Sequence, residues 1–129
     1  MIKSKWAFLA VFILSAILLA SCAASSSPAE AVSAFWQAMV AKDKAQLSAL
    51  SCSDYEAEAL TTMESFGAFE PVISNLECSV LEASGDSATV QCSGTIEVSY
   101  GAEVLKIDLS ERNYAAKKEN GDWRMCGAK

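Results

Sequence analysis

Histidine is absent from this chain. That removes every Ser–His or Cys–His nucleophile and the commonest nitrogen ligand for a metal. A zinc site would need cysteines alone or carboxylates. The five cysteines, Cys22, Cys52, Cys78, Cys92 and Cys126, lack the paired CxxC spacing such sites use. The same spacing speaks against a thioredoxin-like redox pair. Glycine is sparse, and GDSATVQCSG places no glycine cluster before a helix, so no phosphate-cradling loop is expected. Bases are few, 10 against 16 acids, where nucleic-acid binding wants a basic patch. No metal, cofactor, nucleic-acid partner or catalytic residue is assigned from these residues.

The N-terminal stretch is poor in charge. Lys3 and Lys5 are the only charged side chains before Glu30, and Trp6–Ala20 contains one polar residue, Ser15. A basic start, a short apolar run and small residues at a cut site read as a secretory leader. The run is shorter than the ~20 residues that a spanning helix needs. Leu19-Ala20-Ser21-Cys22 resembles the bacterial lipobox. The resemblance implies a signal peptide over 1–21, diacylglyceryl on the Cys22 sulfur, and a lipidated cysteine with a short tether over 22–27. An uncleaved signal anchor is the alternative. Losing the two lysines takes the net charge from −6 to −8. So acidic a domain is repelled by anionic headgroups, and the lipid must do the anchoring. The expected place is outside the cytoplasm, tied to the membrane or envelope through Cys22.

The rest, 28–129, reads as one α+β domain. Ser27, Pro28 and Glu30 form a helix start, and Val32, Phe35, Trp36 and Met39 share a stripe. Asp43 with Gln46 predicts a second cap, ahead of Leu47 and Leu50. Ser53 with Glu56 predicts a third, ahead of Ala59, Leu60, Met63 and Phe66, with Gly67 ending that helix. After Pro71 the period becomes two. Val72, Leu76, Cys78 and Val80 define one strand face; Ala88, Val90, Cys92, Ile96, Val98 and Tyr100 define the next, with a bend expected at Gly94. Leu105, Ile107 and Leu109 are expected inward on a third strand. That strand continues past an irregularity near Glu111 towards Lys117. ENGD then turns into a short last strand from Trp123 to Cys126.

AVSAFWQAMVAKDKAQLSAL looks like the opening helix, and KKENGDWRM like the closing hairpin, of the nuclear-transport-factor-2-like (cystatin-like) superfamily. The chain is most similar in type to small bacterial lipoproteins of that superfamily. The resemblance implies N-terminal helices packed on a curved antiparallel four-stranded meander, a cone with a cavity between helix and sheet. No QxVxG-type loop of a protease inhibitor is present. With Cys22 carrying lipid, four cysteines remain, and three pairings are possible. Cys78 and Cys92 flank SGDS almost symmetrically and suit a cross-strand bridge, which leaves Cys52 with Cys126.

A cavity enzyme of isomerase or cyclase type needs a carboxylate inside the cone and a tyrosine partner. Glu97, Glu103 and Asp108 fall on outward strand phases, and Glu56, Glu58 and Glu64 on a solvated helix face. Tyr55, Tyr100 and Tyr114 could sit at a cavity mouth. Phe35, Trp36, Met39, Met63, Tyr100 and Trp123 are the candidate pocket lining, with core filling as the simpler reading. The leading expectation is a lipid-anchored binding or interaction module without enzymatic activity, taking a small apolar ligand or an envelope protein. The alternatives are the cavity enzyme and a purely structural envelope lipoprotein.

Overall fold

The structure, a computed structural model, describes residues 27–129. The expected leader over 1–21, Cys22 and most of the expected tether lie outside the described residues. Three helices come first: α1 (Pro28–Ala41), α2 (Lys44–Leu50) and α3 (Glu56–Ser65). Five strands follow: β1 (Val72–Ser84), β2 (Ser87–Tyr100), β3 (Glu103–Asp108), β4 (Asn113–Glu119) and β5 (Asp122–Ala128). A single 3₁₀ turn, Leu109–Glu111, separates β3 from β4. The helices cover one face of a wholly antiparallel sheet, and Val32, Phe35 and Met39 of α1 sit on Val90, Ile96 and Met125 in one core.

Local chemistry sets the helix ends. Ser27 Oγ accepts from the Glu30 amide at 3.1 Å, and Asp43 Oδ1 accepts from the Gln46 amide at 3.2 Å. Lys42 takes a left-handed turn, φ 54°, at the end of α1. Gly67, φ 56°, does the same after α3. The expected Ser53–Glu56 box does not form. Tyr55 caps α3 with no side-chain bond, while the Ser53 amide donates to Glu119 Oε1 at 2.8 Å. Glu119 arrives from the far end of β4, so a tertiary contact has taken the donor that a local cap would have used.

The sheet is one long strand with partners exchanged along it. β2 pairs β1 from Ser87 to Glu97 on one side. On the other, its first half (Ser87–Gln91) pairs β4 and its second half (Thr95–Tyr100) pairs β3. The third strand expected from the sequence is therefore two strands, broken at the 3₁₀ turn beside Glu111, and the meander has five strands rather than four. Gly94, φ 119°, lies between the two halves of β2, opposite an irregularity at Asn75, φ 56°.

Irregular register also explains two misplaced faces. The extra residue at Asn75 resets the alternation of β1, so Ile73 opposes Ile96 on the inner side and Val72 turns outward, 63% exposed. Val80 keeps the inner phase opposite Val90, yet is 40% exposed because β1 is an edge strand. Leu105 opposes Val98 and Ile107 opposes Ile96, the inner phase again, but both stay exposed; Leu109 alone of the three is buried.

Two disulfides join Cys78 to Cys92 and Cys52 to Cys126. The two-residue turn at Gly85–Asp86 alone would set Cys78 opposite Ser93. A second irregularity, between Val80 and Glu82, shifts the register by one and puts Cys78 opposite Cys92. Cys52 follows the parallel bridge from Ser51 to Met125, and its amide donates to the Met125 carbonyl at 2.9 Å. The bridge at that point ties the helical layer to the edge of the sheet.

Candidate functional site

A cleft of about 450 Å³ opens between α1, the start of α3 and the break between β3 and β4. Trp36, Tyr55 and Ile107 show in its wall, with Tyr114, Leu109 and Met125 buried behind them, and more of the cleft's surface is polar than apolar. Trp36 is the outermost member of the α1 stripe. Its ring stands edge-on to Tyr114, centroids 5.4 Å apart, and to Phe35 at 5.2 Å. Tyr55 leans on the bare backbone of Gly127, where a β-carbon would meet its ring at 3.3 Å. Tyr114 is buried, and its hydroxyl donates to the Leu109 carbonyl at 2.8 Å, pinning the 3₁₀ turn that forms one lip. The indole N–H of Trp36 is buried and has no hydrogen-bond partner among the described residues.

No protein-family model matches the chain, and no curated protein matches it. Solved structures resemble it in fold. A SEC-C motif containing protein from Rhodopseudomonas palustris matches with a TM-score of 0.54 and 14% identity, over 80% of this chain and 77% of its own. A candidate dehydratase of the NTF2-like family from Streptomyces avermitilis matches at 0.50 and 14%, over 76% and 88%. The helical cell shape determining protein Pgp2 from Campylobacter jejuni matches at 0.51 and 7%. It covers 78% of this chain, which spans 38% of that one. The fold is NTF2-like.

In this NTF2-like cone the ionisable groups stand at the rim, not inside. Glu58, Asp108, Glu111, Lys106 and Arg112 border the cleft, and all are exposed. Asp108 accepts from the Ser110 hydroxyl at 2.6 Å and amide at 2.9 Å, and these bonds hold its carboxyl below the usual range. Inside, burial pushes Tyr114 up to about 12. Burial also raises Tyr55, helped by the Glu58 carboxylate.

The tyrosine shift has a consequence for alkaline stability. A phenol that ionises near 10 unfolded and near 12 folded contributes stability that is whole below pH 10. It is lost as pH rises through 12, because over that window the unfolded state binds fewer protons. The stability of the native chain should therefore fall between pH 10 and 12 more steeply than that of Tyr114→Phe, measured by urea unfolding. Equal slopes would mean that the hydroxyl is open to water. At neutral pH the same variant should be about 1 kcal/mol less stable, for the lost bond to Leu109.

Of the six residues named as pocket lining from sequence, Trp36 borders the cleft. Phe35, Met39 and Met63 fill the core behind it. Tyr100 packs on Phe69 at 4.4 Å, away from the cleft, and Trp123 is buried on β5 with the Lys118 ammonium 5.7 Å from its ring. Of the three tyrosines considered for a mouth, Tyr55 borders the cleft half-exposed, Tyr114 lies buried behind its wall, and Tyr100 is elsewhere. Met125, Leu109 and the rim acids were not foreseen as a group. The one local signal was the irregularity near Glu111, which marks the lip.

Proposed function

We propose that this chain is a lipid-anchored binding or interaction module of the cell envelope, and that it holds a small, largely apolar ligand in the Trp36–Tyr55–Tyr114 cleft. The observation that carries the reading is the cleft itself: a hollow of a size suited to a small molecule, with the rings of Trp36 and Tyr55 in its wall and its carboxylates on an exposed rim. Catalysis by a cavity acid would call for a buried carboxyl, and the carboxylates that border the cleft are exposed. The two disulfides support an oxidising, extracytoplasmic location. The lipobox supports anchoring through Cys22.

Native mass spectrometry of the protein purified from its own envelope tests both halves. The expected mature chain begins at Cys22, carries the mass of a diacylglyceryl group, and retains a small molecule that Trp36→Ala releases. A chain that still carries residues 1–21, or has an unmodified Cys22, would refute the anchor. Native and Trp36→Ala proteins that are both empty, or retain the same adduct, would refute the cleft.

A further inference from the structure

The charge around the cleft is uneven. Three carboxylates, Glu58, Asp108 and Glu111, share its border with two cations, Lys106 and Arg112. Lys106 is already engaged with Glu97 at 3.6 Å on the adjoining strand. That leaves three acids against Arg112. Beneath them stand an indole and two phenols. Aromatic rings carry negative faces, and a cation within ~6 Å of a ring centroid is attracted, most strongly to tryptophan. An acidic rim over such a wall raises the local concentration of cations and disfavours anions. The surrounding residues point the same way, since every acid of the chain and all but two of its bases lie beyond residue 29.

We propose that the ligand of this cleft is a small organic cation, an alkylated or quaternary ammonium on an apolar body, seated against Trp36 and Tyr55, with Tyr114 behind them, beneath Glu58, Asp108 and Glu111. The inference rests on the reading of the cleft as a binding site. It adds the ligand's charge and chemical class. The ammonium sits against the rings, and its residual charge is matched by the rim carboxylates. The apolar body lies along Ile107, beside the buried Leu109. Arg112, beside Tyr114, works against this ligand, and its removal should improve binding.

The test uses the full chain in phospholipid nanodiscs, with empty discs as blank. Isothermal titration compares three probes built on one benzyl group: benzyltrimethylammonium, neutral benzyl alcohol and anionic phenylacetate. The cation should bind at least about tenfold tighter than the alcohol, and phenylacetate weakest, with the preference shrinking as salt rises. Glu58→Gln/Glu111→Gln should weaken the cation several-fold, and Arg112→Gln should tighten it. All three positions are exposed, so folding is not at stake. If phenylacetate binds best, or Arg112→Gln weakens binding, the cleft takes an anion and the inference is overturned. Equal affinity for cation and alcohol overturns it too. In both cases the cleft remains a binding site. If no probe binds, the inference falls, while the retained-ligand measurement decides the broader reading separately.

Discussion

Replacing Cys52 and Cys126 together by alanine should lower the melting temperature by ~15–25 °C, the larger of the two disulfide effects. The bridge spans 74 residues of sequence, against 14 for Cys78–Cys92. In the chain-entropy model a bridge stabilises by restricting the unfolded chain, worth ~4 kcal/mol for the long loop and ~3 kcal/mol for the short one. The short loop's share shrinks further if the unfolded chain keeps some of the hairpin that its turn encourages. The long bridge also holds Ser51 and Cys52 against the edge of β5, where the Cys52 amide meets the Met125 carbonyl. Losing it frees the seam between the helical layer and the sheet, near the cleft wall at Met125. Cys78→Ala/Cys92→Ala should therefore melt several degrees above Cys52→Ala/Cys126→Ala. Equal or reversed melting points would show that the long loop is already restricted in the unfolded chain. A tryptic peptide linking Cys52 to Cys78 would overturn the pairing itself.

The helices and the inner face of β2 were legible in the sequence because they follow short-range rules. Ser27 and Asp43 cap their own helices, and Ala88, Val90, Cys92, Ile96 and Val98 keep one buried phase along β2. The failures arise where one residue is added. Asn75 shifts Ile73 inward and Val72 outward, and no composition signal in VISNLECSV marks which residue is the extra one. Exposure was equally hidden. Leu105 and Ile107 have the inner phase, but period two says which side a residue faces, not whether anything lies over it. The cleft inherits both difficulties. Trp36 was visible as part of a stripe, whereas Tyr55, Leu109 and Met125 come together only after the sheet has bent and the segment before α3 has been tied to β5.

That bend makes Gly94 the position where a single added methyl should do most harm. A β-carbon there would sit 2.9 Å from the Ser74 carbonyl oxygen, 3.0 Å from the Asn75 oxygen and 3.0 Å from Leu76 Cα. All three are backbone atoms, so no side chain can swing aside to make room. The backbone angle, φ 119°, is itself one that an alanine rarely adopts. Strain and overpacking of this kind together cost about 3–5 kcal/mol. Gly85, φ 59°, is the control: it also has a positive angle, but a β-carbon there meets nothing within 4 Å. Gly85→Ala should cost about 1 kcal/mol, from the backbone angle alone. Urea midpoints should thus fall far more for Gly94→Ala than for Gly85→Ala. The damage should also be structural, because relief of the clash means opening the irregularity at Asn75 and returning Val72 to the inner phase. Amide exchange should then speed up along β1 and the second half of β2 before it does along β4 and β5. If Gly94→Ala were as mild as Gly85→Ala, the two strands could not approach so closely at Asn75. β2 would then run straight past the point where its partner changes from β4 to β3.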